Sequence, residues 1–60
     1  MSNVKPCYRI SIRPDPRDRT QFLWTIYGID SMFWEESSVA FSSVEHALSA
    51  GNERMSELMH

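Results

Sequence analysis

Sixty residues, 42% hydrophobic and 23% charged, provide one small hydrophobic core, because too little chain remains to close a second. The single cysteine, Cys7, rules out an internal disulfide, and Cys7, His46 and His60 lack the paired spacing of a zinc site, so no metal or other cofactor is expected. No run reaches the roughly 18 apolar residues of a membrane span and residues 1–6 contain no signal-type apolar run, so the expected location is cytoplasmic.

The net charge of −2 hides a division along the chain. Lys5, Arg9, Arg13, Arg17 and Arg19 face only Asp15 and Asp18 in the first twenty residues, whereas Arg54 stands against six carboxylates in the remainder. A basic end and an acidic body could orient the molecule toward an anionic partner or a second copy of itself; the plain alternative is that both sets only solvate the surface.

Residues 7–13 alternate, with Tyr8, Ile10 and Ile12 on one face and Cys7, Arg9, Ser11 and Arg13 on the other, which predicts a half-buried strand. Pro14 and Pro16 are expected to stop it, leaving a loop longer than a two-residue turn. Residues 22–29 form the second predicted strand, with Phe22, Trp24 and Ile26 on one face and Leu23, Thr25, Tyr27 and Ile29 on the other. A strand apolar on both faces belongs in the middle of a sheet. Gly28, Asp30 and Ser31 predict a tight hairpin, with a two-residue loop at Asp30-Ser31 or shifted by one, into a third strand from Met32 to about Ser37.

Ser42-Ser43-Val44-Glu45 fits a capping box with Ser42 as the cap. Val44, Ala47, Leu48, Gly51, Met55, Leu58 and Met59 then recur at spacings of three and four, predicting a helix over residues 43–58 whose Val44, Leu48 and Met55 stripe faces the sheet. Glycine inside a helix costs about 1 kcal/mol against alanine, so Gly51 implies close approach to a bulky side chain, with Trp24 the candidate, or a break. Phe41 is placed at the corner between sheet and helix.

The result is an α+β chain, a single domain over residues 1–60 with its core at about 7–59, built as a three-stranded antiparallel meander with one C-terminal helix on one face. The other face, carrying Arg9, Ser11, Arg13, Leu23, Thr25, Tyr27 and Trp34, has no predicted cover, and exposed apolar patches usually mark interaction sites. Trp24-Thr25-Ile26, Glu36-Ser37, the run Phe41-Ser42-Ser43-Val44-Glu45-His46-Ala47-Leu48, and Gly51 resemble the ββ(β)α units of small, mostly uncharacterised bacterial domains of the YegP-like type. The chain is also similar, more loosely, to the partial RNase-like fold of HicB-type antitoxins, but without the Pro-Asp-containing segment expected after the second strand there. Neither resemblance implies catalytic residues.

The chemistry-bearing residues point the same way. Cys7 and His46 have no third orienting group, Glu35 and Glu36 are adjacent and fall on opposite faces of a strand, and two glycines make no phosphate loop. The expectation is therefore a non-enzymatic protein-binding module using Arg9, Arg13, Leu23, Tyr27 and Trp34, with a homodimer or another protein as partner. Arginines beside Tyr27 also suit single-stranded RNA, the less favoured alternative. The C-terminal Met55, Leu58 and Met59 are read as core packing in preference to a flexible binding surface.

Overall fold

The computed structural model describes residues 7–59; residues 1–6, read above for a signal-type run, and His60, weighed as a metal ligand, lie outside them. Three antiparallel strands, β1 (Tyr8–Asp15), β2 (Asp18–Gly28) and β3 (Trp34–Glu36), form one sheet in the order β1-β2-β3, followed by one helix, α1 (Val44–Leu58). This is the expected α+β meander with β2 in the middle. Register pairs Ile10 with Ile26 and Ile12 with Trp24 on the helix side, and Arg9 with Tyr27 and Arg13 with Leu23 on the other. The predicted faces of both strands are the observed ones.

The two connections reverse the expected lengths. The first hairpin closes in two residues, Pro16 and Arg17, between paired Asp15 and Asp18. Pro14 does not stop β1: the Cys7 carbonyl accepts from the Ile29 amide, so the alternation of an antiparallel ladder turns the amide positions of residues 8, 10, 12 and 14 outward. A proline on that edge forfeits no ladder bond. Pro16 occupies the first central position of the turn, and the Asp15 carboxylate accepts from the Arg17 amide at 2.9 Å. No described residue has positive φ, so the turn is not of the mirror-image kind that matches strand twist, and the register shifts between Pro14 and Asp15 instead.

The second hairpin, expected to be tight, is wider. Gly28 donates to the Phe33 carbonyl at 3.0 Å, leaving residues 29–32 outside the β2–β3 pairing, and β3 begins at Trp34 where Met32 was expected. The cause lies across the sheet. Ile29 donates to Cys7, so the end of β2 stays paired with β1 one residue past Gly28, and Tyr8 packs edge-on against Phe33, where the chain returns. The folded turn sets the Ser31 hydroxyl against the position a Cβ would take at residue 28, so glycine belongs there.

Beyond β3 the ladder is completed without a regular strand. Ser37 donates its amide to the Trp24 carbonyl at 2.9 Å and accepts on its hydroxyl from the Trp24 amide at 3.2 Å. Phe41 then exchanges two bonds of 2.8 Å with Phe22, which sets it at the predicted corner before the helix.

The helix is continuous, as expected, but its cap and facing stripe differ from the sequence reading. Ser43, not Ser42, is the N-cap: its backbone is extended and its hydroxyl accepts from His46. The buried stripe is Ala47 and Gly51, flanked by half-buried Ala50, Arg54, Met55 and Leu58, while Val44 and Leu48 are 46% and 39% exposed. The sheet supplies the bulk here, with Ile26 fully buried and Trp24 nearly so, and the helix answers with small residues. A Cβ on Gly51 would meet Ile10 Cδ1 and lie 3.1 Å from Trp24 Cβ and Cγ. Close packing against Trp24, and not a break, is what Gly51 serves.

Candidate interaction face

The strand register arranges the sheet face away from α1 in rows that cross all three strands. Arg9, Tyr27 and Trp34 form one row; Ser11, Thr25 and Glu36 form the next; Arg13 and Leu23 follow. All five residues predicted for the interaction, Arg9, Arg13, Leu23, Tyr27 and Trp34, therefore lie on one face. They do not share one environment.

Arg13, on β1, reaches over the central strand to pair with Glu36 on β3, which lays its aliphatic stem across β2 beside Leu23 and Thr25. Leu23 and Thr25 are each only 7% exposed. Leu23 is thus a correction to the predicted contact set: it is buried within this chain, on the part of the face that the Arg13–Glu36 pair spans. The Thr25 hydroxyl beneath is buried without a hydrogen-bond partner. The face has a closed half at Arg13, Leu23, Thr25 and Glu36, and an open half at Arg9, Tyr27 and Trp34. Trp34 is 58% and Tyr27 37% exposed, and Ile29 and Met32, in the connection that follows β2, are exposed as well. Arg9 is exposed and makes no ion pair among the described residues.

The adjacent glutamates do point to opposite faces. Glu35 turns toward the helix, where Arg54 grips it with two parallel bonds, Nε to Oε2 at 2.7 Å and Nη2 to Oε1 at 3.0 Å, while its third nitrogen reaches Glu57 at 3.1 Å. The Arg54 guanidinium holds the Glu35 carboxyl below its ordinary value, and the two carboxylates push the Arg54 pKa further up. This clasp was not anticipated. The available signal was spacing: Arg54 is the only cation after residue 20 and stands three positions beyond Gly51, on the buried stripe.

Cys7 precedes β1, whereas His46 is exposed in the first turn of α1. Among the described residues no group of three or more His, Cys, Asp or Glu side chains could hold a metal ion, and no helix is long and apolar enough to cross a membrane. No family model, curated protein or solved structure matches the chain.

Proposed function

We propose that this is a non-enzymatic protein-binding module that self-associates through the open half of its sheet. The observation that carries the reading is the row of Arg9, Tyr27 and Trp34 across three strands, exposed and free of any covering element among the described residues. Arginine, tyrosine and tryptophan are the residue types that dominate binding energy at protein interfaces. A 60-residue chain buries only roughly 60% of its unfolded surface, so a second copy adds burial that its own core does not supply. Solution mass across a concentration series tests this directly. Dimer is expected for the native chain and monomer for Tyr27→Glu; a native chain that stays monomeric up to millimolar concentration overturns the reading.

Single-stranded RNA is the second reading, favoured by two neighbouring exposed rings beside a free guanidinium. Against it, Arg13 is already neutralised by Glu36, which leaves Arg9 as the free cation of the described face. Titration with a short single-stranded RNA at low salt is expected to show no binding. Binding that weakens steeply with salt, with a slope flattened by Arg9→Ala, would exchange the order of the two readings.

A further inference from the structure

We propose that the second copy docks about a two-fold axis lying in the interface along β2, so that β1 of each chain covers β3 of the other; this specifies the geometry of the self-association reading and rests on it. Two sheets stacked face to face with their strands aligned are related by an in-plane two-fold either along the strands or across them, since an axis normal to the sheets leaves both copies side by side and one oblique to the strands crosses them. The distribution of charge over the open half separates the two.

An axis across the strands keeps β1 over β1. Centred on the Arg9 row, it sets Arg9 on the second copy's Arg9; moved to the Ser11 row, it sets Arg9 on the second copy's Arg13. Either way like charges meet in a surface being stripped of water, which disfavours the pairing. An axis along β2 reverses each row instead. Arg9 then falls over the second copy's Trp34, a guanidinium on an indole face, and Tyr27 meets Tyr27. One row further, the exposed Ser11 hydroxyl faces the second copy's Glu36 carboxylate, which keeps 28% of its side-chain surface open beside Arg13. Ile29, 49% exposed, continues the line of β2 through its bond to Cys7, two positions beyond Tyr27 and so on the same face by strand alternation, and an axis along β2 brings it onto itself. The row Arg9-Tyr27-Trp34 is self-complementary only when reversed, and this axis reverses it while keeping the two sheets in the aligned packing that twisted sheets prefer.

Cross-linking with a short bismaleimide, in chains carrying Cys7→Ser, tests the axis. An Arg9→Cys chain mixed with a Trp34→Cys chain is expected to link to it, and Ile29→Cys is expected to link to itself. Arg9→Cys is expected not to link to itself or to an Arg13→Cys chain. These are exposed positions, and circular dichroism of each variant confirms that the linked species are folded. The Arg9→Cys self-link, its link to Arg13→Cys, or a dimer by mass in which neither expected link forms, overturns the axis and leaves self-association standing. A native chain that is monomeric at millimolar concentration overturns both. As a check free of cysteines, Arg9→Glu is expected to weaken dimerisation at least tenfold and Arg9→Lys markedly less; equal, negligible effects would remove the Arg9 contact from the interface.

Discussion

Gly51 and Thr25 show how much a single atom weighs in a core this small. A methyl group on Gly51 gains helix propensity of about 1 kcal/mol but enters space held by Ile10 Cδ1 and by Trp24, whose Cβ is fixed to the central strand. Ile10 can turn its terminal methyl aside; Trp24 can give way only by moving the sheet or the helix. Overpacking costs about 1 to 3 kcal/mol, so Gly51→Ala is expected to lower the urea midpoint, and Ile10→Val in the same chain to recover part of the loss. Additive effects of the two substitutions would mean that Ile10 is not the obstruction. Thr25 presents the opposite case, a hydroxyl stripped of water without a partner. Thr25→Val keeps the shape and removes the unsatisfied group, and a gain of about 1 kcal/mol is expected in the same denaturation assay.

At the scale of elements, the weakest piece is β3, three residues at the edge of the sheet. Its two consecutive glutamates fasten it from both faces, Glu35 to Arg54 of the helix and Glu36 to Arg13 of β1. The lowered pKa of Glu35 gives the clasp a pH signature. A carboxyl with a depressed folded pKa stabilises above its unfolded value, about 4.3, and that contribution is lost as the pH falls through the lowered value. The chain is therefore expected to lose stability from about pH 4.5 downward. Glu35→Gln should be less stable than the native chain at pH 7 and should have a shallower acid limb, read from urea midpoints between pH 7 and 3. Asp18, held low by the Thr20 hydroxyl and amide, contributes in the same direction and should remain in that variant. Ser37 ends the same edge by satisfying both the amide and the carbonyl of Trp24; Ser37→Ala leaves that buried amide without its acceptor, and a cost of about 1 to 3 kcal/mol is expected.

For the whole molecule, folding and association are linked if the open half of the sheet is covered by a second copy. Anything that binds only the folded chain stabilises it by mass action. The urea midpoint of the native chain is then expected to rise with protein concentration. That of Tyr27→Glu should not. A midpoint independent of concentration in the native chain would mean that the folded monomer is the stable species and that Tyr27 and Trp34 are left in water.

The order of elements, the faces of β1 and β2, the central place of β2 and the packing role of Gly51 all follow from local pattern, since side-chain alternation, helical spacing and a glycine's missing Cβ are properties of a few consecutive residues. The turns and the helix rotation were legible only in part. The lengths of both hairpins depend on the pairing of the strands, on the Ile29 to Cys7 bond in one and, in the other, on the outward-facing nitrogen of Pro14, where the ladder asks for no N–H. Val44 and Leu48 look like core by hydrophobicity alone; they lie outside because Trp24 and Ile10 already fill the space and admit only Ala47 and Gly51. The division of the sheet face into a closed and an open half was decided by tertiary structure, because it depends on Arg13 finding Glu36 two strands away. A charged side chain carries no mark in the sequence of which opposite charge will neutralise it, and that pairing spans the half of the face where Leu23 and Thr25 are buried, apart from the half where Arg9, Tyr27 and Trp34 are exposed.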